Sequence, residues 1–224
     1  MADAQFLNET QAPVASINKV LRNTYMLLSI TLLFSAGMAG LAMAMNVQYM
    51  GFMPLLVAFG LIFAIGKMKN SVWGIVLVFA FTGILGFSLG PILNAYMATA
   101  GGTQAVVMSA GLTGVIFFSL SGYTLVSQKD FSYMSGFLMT GMWVVIAAML
   151  FMFAGSFFGI YVSGMQLAIS CAVVVLMSGF ILYDTSRILH GGETNYIMAT
   201  VSLYLSIYNL FVHLLMLIGV MGDD

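Results

Sequence analysis

Residues Ser178–His213 read SGFILYDTSRILHGGETNYIMATVSLYLSIYNLFVH. An apolar run ends on Asp184, and a short polar loop follows with Arg187, His190 and Glu193. A second apolar run then carries Ser202, Ser206, Asn209 and His213. Outside this stretch and residues 1–23, the remaining charges are Lys67, Lys69, Lys129, Asp130, Asp223 and Asp224. A chain with so few charges has little to place but these, and most of what it says about function is concentrated in this hairpin.

Composition names the solvent. The chain is 62% hydrophobic and 6% charged, with a mean hydropathy of +1.07. A soluble domain is about a quarter charged, so this chain has too little polar surface to face water on all sides. It reads as an all-α integral membrane protein. The net charge of −1 points to no nucleic-acid partner. The single Cys171 can form no intrachain disulfide, and the 20 Met and 24 Gly suit helices packed closely in lipid.

About 20 apolar residues cross the hydrocarbon core, and seven stretches qualify: 24–45, 50–66, 72–97, 105–126, 131–158, 161–183 and 197–221. The first follows a polar segment, residues 1–23, without the basic start of a signal peptide, and is too long for a signal core. It reads as an uncleaved span behind an irregular N-terminal tail. The connections are short, so residues 24–222 form one transmembrane domain. With seven spans, Lys19, Arg22, Lys67, Lys69, Lys129 and Arg187 all fall on one side. The positive-inside rule makes that side the cytoplasm, with the N-terminus inside and the C-terminus outside.

Three features carry candidate chemistry. In the third span, Gly83, Gly86 and Gly90 let a neighbouring backbone approach, and Pro91 removes a backbone donor and is expected to kink the helix. In the seventh span, Ser202, Ser206, Asn209 and His213 are spaced by four, three and four residues and share one helical face. Polar groups in lipid face protein or a water-filled cavity, so this helix is expected to be central, its stripe serving either as a hydrogen-bonding seam or as an ion pathway. Asp184 follows 17 uncharged residues. An ionised Asp at membrane depth costs roughly 2.5–3.5 kcal/mol even on lenient scales, so Asp184 is expected either to end the helix at the interface, or to pair with a cation, with Arg187 and Lys67 as candidates, or to have a raised pKa.

Tyr183–Tyr196 followed by Val201–Leu210, together with Gly83–Asn94, resembles the Bax-inhibitor family, and the resemblance runs through the whole chain from Lys19. Lys19–Tyr25 and His190–Tyr196 resemble its bacterial inner-membrane members in particular. The resemblance implies seven helices with the last surrounded by the other six. It implies two activities. One is binding to the ATP-dependent membrane protease FtsH and its associated complex, restraining degradation of membrane proteins while being degraded slowly from the N-terminal tail. The other is a pH-sensitive calcium or proton leak gated by two aspartates that share protons. Asp184 matches the first aspartate, and the second would fall at Ser206. No cofactor is implied, and calcium would be cargo.

Enzyme chemistry finds little footing. The chain has no His-Glu-x-x-His and no run with metal-ligand spacing. No Ser, His and acid arrangement stands out. A membrane aspartyl protease needs two intramembrane aspartates, and a retinal protein needs a lysine in the seventh helix, whereas the last lysine here is Lys129.

The placement of basic residues yields a topology prediction. A reporter fused before Met1 is expected to report the cytoplasm, and one fused after Asp224 the outside. Both ends on one side would eliminate seven spans.

Overall fold

Among the described residues seven α-helices follow one another: α1 (Ala2–Ala44), α2 (Met53–Met68), α3 (Val72–Met97), α4 (Gly102–Ser127), α5 (Ser135–Phe157), α6 (Met165–Leu189) and α7 (Tyr196–Met221). The computed structural model describes the backbone of residues 2–159 and 164–221, and side chains over 16–159 and 164–220. Among these there is no strand, only one further turn of 3-10 helix at Ser132–Met134. Tyr161, where the sixth span was expected to begin, and the terminal Asp223 and Asp224 lie outside the described residues. Among the described residues six helices are long and apolar enough to cross a membrane. The seventh, α2, has 16 residues and is only about 24 Å long. Spans this short are accommodated by local thinning or by flanking lysines that reach for the interface, and Lys67 sits in the last turn of α2.

Two boundaries differ most from those read in the sequence, the start of α1 and the end of α6. The backbone of α1 is helical from Ala2, where an irregular tail was expected. Ahead of Pro13, Ala2, Ala4, Gln5, Leu7, Glu9, Gln11 and Ala12 are good helix formers. At the other end, α6 continues to Leu189, so Arg187 lies in its last turn and not in the loop, and Asp184 is internal to the helix. The helix stops where Gly191 takes a left-handed φ of 73°. There Gly191 N–H donates to the Ile188 carbonyl and Glu193 N–H to that of Arg187, the usual closure of orphan carbonyls at a helix C-terminus.

The chain divides into two compact units. The first comprises Met1–Asn94 and Arg187–Tyr204, the second Ala95–Ser186 and Leu205–Asp224. Both α6 and α7 therefore contribute to each.

In the first unit, α3 turns its glycines to α1. A Cβ on Gly83 would meet the Phe34 ring; on Gly86, the carbonyl and hydroxyl of Ser35; on Gly90, the Ala42 methyl and the Met43 amide. Pro91 lies inside α3. One turn on, the Asn94 amide donates to the Met43 carbonyl at 3.2 Å, satisfying an acceptor at the end of α1. Tyr204 on α7 is 1% exposed and binds both helices. Its hydroxyl donates to the Thr82 carbonyl at 3.2 Å. The Ser35 hydroxyl, 2.7 Å away, must then donate to Tyr204. The Tyr204 ring stands edge-on to Phe81 with centroids 5.9 Å apart.

In the second unit, α5 and α6 trade side chains for gaps. Leu138 of α5 fills the space beside Gly179, and Leu176 of α6 the space beside Gly141. On α4 the buried Ser109, Thr113 and Thr124 return their hydroxyls to the carbonyls of Ala105, Ser109 and Leu120, the usual way to carry a hydroxyl in lipid.

These contacts predict opposite signs for one kind of substitution. Gly37→Ala, where nothing lies within 4 Å of the added methyl, is expected to raise stability by about 0.5–1 kcal/mol. Gly86→Ala is expected to lower it by about 1–3 kcal/mol through overpacking against Ser35. Thermal unfolding in mild detergent reads both, and a Gly86→Ala variant no less stable than the parent would refute a close approach at Gly86.

Candidate functional site

Asp184, Thr185 and Ser186 are consecutive and buried, at 8%, 0% and 1% exposure. Three successive helical residues sweep about 200° of the circumference, so protein surrounds most of α6 at this level. The Thr185 hydroxyl lies 3.3 Å from that of Ser121 on α4. The Ser186 hydroxyl accepts the Phe131 N–H at 2.9 Å and has the Lys129 carbonyl and an Asp130 carboxylate oxygen each at 3.4 Å. Asp130 in turn accepts the Ser132 N–H at 2.8 Å. The connection between α4 and α5 is thereby clipped onto α6, two residues beyond Asp184.

The cations expected near Asp184 are placed as follows. Arg187 pairs with Glu193 at 3.5 Å and donates to the Gly192 carbonyl at 3.3 Å. The pair's side chains are 33% and 22% exposed, so solvent screens it and its contribution is small. Lys67 is exposed at the end of α2, in the first unit, whereas Asp184 belongs to the second. His190 is exposed in the turn after α6.

The four stripe residues of α7 divide between the units. Ser202 belongs to the first and is partly exposed. Ser206, Asn209 and His213 belong to the second, where Ser206 is 4% exposed. The Asn209 amide donates to the Leu205 carbonyl of its own helix at 2.8 Å. His213 Nδ1 reaches the Ser170 hydroxyl of α6 at 3.1 Å, and Ser170 also lies 2.9 Å from the Gln166 carbonyl and 3.0 Å from the Met216 sulfur. Among the described residues no group of three His, Cys, Asp or Glu is placed to hold a metal ion.

Sequence reasoning passed over Asn195, whose side chain joins two connections. Its Oδ1 accepts the N–H groups of Ile197 and Met198, both at 3.1 Å, and caps α7. Its Nδ2 donates to the Lys69 carbonyl and to Asn70 Oδ1, both at 3.0 Å. Glu193 Oε1 accepts the Asn195 N–H at 2.9 Å. A network thus runs from Arg187 through Glu193 and Asn195 to the α2–α3 loop. An Asn just ahead of an apolar run is a legible helix start, so the cap could have been found; its second set of bonds could not.

Membrane-length apolar helices, a buried acidic tripeptide near one end of α6 and a polar stripe on α7 define a multi-span membrane protein whose polar groups are gathered inside. The family described as Inhibitor of apoptosis-promoting Bax1 matches residues 17–223, and the chain belongs to it. Among relatives, an uncharacterized protein of Pseudomonas aeruginosa is 46% identical over 100% of both chains. An uncharacterized membrane protein of Vibrio cholerae is 46% identical over 92% of both. A protein of Escherichia coli K12 named Modulator of FtsH protease YccA is 46% identical over 93% of both.

The two sets of Asn195 bonds can be separated. Asn195→Asp keeps the acceptor that caps α7 and loses the donors to the α2–α3 loop, whereas Asn195→Ala loses both. Alanine is expected to cost about 1 kcal/mol more than aspartate in thermal unfolding, the worth of a cap. Equal losses would mean that the cap contributes nothing.

Proposed function

We propose that this chain is a regulator in the bacterial inner membrane that binds FtsH and restrains its proteolysis of membrane proteins. The observation that carries this reading is the 46% identity, over 93% of both chains, to the Escherichia coli protein named Modulator of FtsH protease YccA. A further relative at the same identity is named Inner membrane protein YccA. Neither name is that of an enzyme, and the function is non-enzymatic. The N-terminus is cytoplasmic, following the basic residues, and the chain is a slow substrate entered from that end.

The helical backbone from Ala2 is compatible with such an entry. The turns ahead of the membrane span about 25 Å as helix, and helices this short are marginal in water. They unwind at little cost, and 18 residues extend to roughly 60 Å, enough to reach a nearby pore. Affinity capture of the intact protein from mild detergent is expected to bring FtsH with it. Deleting Met1–Asn18 is expected to lengthen its lifetime in cells containing FtsH while leaving it inserted. Equal FtsH-dependent decay of the truncated and intact chains would discard the N-terminal handle.

A second reading is a pH-sensitive leak for calcium or protons, favoured by the buried carboxylate of Asp184. Its residues would be Asp184, Ser206, Asn209 and His213, with calcium as cargo and no cofactor. A gate made of a proton-sharing pair needs two like charges close together, and position 206 is a serine. In reconstituted liposomes Asp184→Asn is expected to change the pH profile of calcium flux, and Ser206→Asp to sharpen it. Absence of flux from the parent chain, or a profile indifferent to Asp184→Asn, would remove this reading.

A further inference from the structure

We propose that the rate at which FtsH consumes this chain is set by a clasp on α1 inside the first unit, centred on Ser35, Tyr204 and Gly86. The inference rests on the FtsH reading and specifies what makes the substrate slow. The helix α1 is continuous with the N-terminal end, so it is the first transmembrane element to feel a pull from the cytoplasm.

Three kinds of contact oppose its movement along its own axis. The first is shape. Phe34, Ser35 and Ala42 sit where Gly83, Gly86 and Gly90 of α3 have no side chain. Sliding α1 by one turn, about 5.4 Å, toward the cytoplasm would bring Met45 or Asn46 to the place of Ala42. Gly90 already meets the Ala42 methyl and the Met43 amide there, so a larger side chain finds no room. The second is a directional bond at mid-helix. The Ser35 hydroxyl is held at 2.7 Å by Tyr204, whose own proton is committed to the Thr82 carbonyl at 3.2 Å. One hydroxyl therefore ties α1 to both α3 and α7. The third is a bond near the far end: the Asn94 amide holds the Met43 carbonyl at 3.2 Å, while the Thr200 hydroxyl, 2.7 Å from the Tyr196 carbonyl of its own helix, stands 3.3 Å from the Thr24 carbonyl.

A pull along the axis of α1 shears all these contacts together. Forced unfolding is governed by the rate of crossing the barrier and not by equilibrium stability. Released hydroxyls of Ser35 and Tyr204 would meet hydrocarbon or apolar side chains, not water. That raises the barrier while adding nothing to the grip. A protease that has engaged the soft end is then held at the first span, which lengthens its occupation by each copy of the chain.

The test compares FtsH-dependent half-lives by pulse-chase for the full chain and for Tyr204→Phe, Ser35→Ala and Ser170→Ala. Tyr204→Phe keeps the ring beside Phe81 and removes only the hydroxyl. Ser170→Ala removes a buried bond to His213 in the second unit and serves as the control for general destabilisation. The two clasp variants are expected to shorten the half-life about fivefold, with Ser170→Ala close to the parent even where its loss of thermal stability matches theirs. Unchanged decay of the clasp variants, or equal acceleration by all three, overturns the inference and leaves the FtsH reading standing. Decay of the parent that is the same with and without FtsH overturns that reading, and the inference with it. A measurement free of the protease accompanies this: with single molecules in bicelles pulled from their termini, Tyr204→Phe is expected to lower the force of the first rupture next to α1. An unchanged force overturns the clasp.

Discussion

A polar group inside a membrane protein has no water to return to, and the internal arrangement of this chain follows from that constraint. Ser109, Thr113 and Thr124 spend their protons on their own helix. Ser35, Tyr204 and Ser186 spend theirs on other elements, and His213 Nδ1 is bonded to Ser170 of α6. The first solution leaves a helix free to stand anywhere in lipid. The second fixes it to a neighbour, so the few residues that choose it decide which helices are bound together. Two buried hydroxyls, of Thr24 and Ser127, have no partner among the described residues. Each lies two positions from a basic residue, Arg22 and Lys129, at the interfacial end of its helix. Water reaches such ends, and a single ordered molecule satisfies a hydroxyl there.

Close approach is the second consequence. Lipid offers no hydrophobic drive for one helix to prefer another, so association depends on contact area and on hydrogen bonds. The glycines of α3 let α1 come near enough for Ser35 to reach Tyr204, and the two effects cooperate. Gly141 and Gly179 make the same exchange between α5 and α6. By contrast Gly37, Gly40, Gly111 and Gly114 have nothing within 4 Å. Glycine content alone does not say which helices touch; the registration of the gaps with a partner's side chains does.

That distinction marks how far the sequence could be read. Hydropathy places the apolar stretches, and the third span and α3 share the bounds Val72–Met97. Ends are harder. Asp184-Thr185-Ser186-Arg187 reads as the start of a loop because Asp, Thr and Ser compete with the backbone in isolation, yet α6 runs through them with Thr185 and Ser186 bonded to α4 and to its connection with α5. The side chain of Asp184 is visible from sequence as a charge after an apolar run. Ser121 and Asp130, which bond the adjacent Thr185 and Ser186, are more than fifty positions away, and no pattern links them. Tyr204 leaves no mark at all, since a tyrosine in an apolar helix reads as one more aromatic until Ser35 and Thr82 are seen beside it.

The polar groups also differ in what disturbing them would do. Arg187, Glu193 and Asn195 lie in and around a turn where water competes for every bond, so their network orders a connection without strongly resisting its loss. Ser35, Tyr204 and Thr82 lie at 6%, 1% and 0% exposure, where breaking one bond strands both partners and the cost falls on desolvated groups. A chain that is easy to grip and slow to dismantle needs both kinds, a weakly held surface and an interior whose bonds have no substitute. The leak reading makes the opposite demand on Asp184, which must exchange its proton or cation with water to act at all. One fold satisfies both requirements only if they reside in different places. Here the division of the chain puts Ser35, Thr82 and Tyr204 in one compact unit and Asp184 in the other.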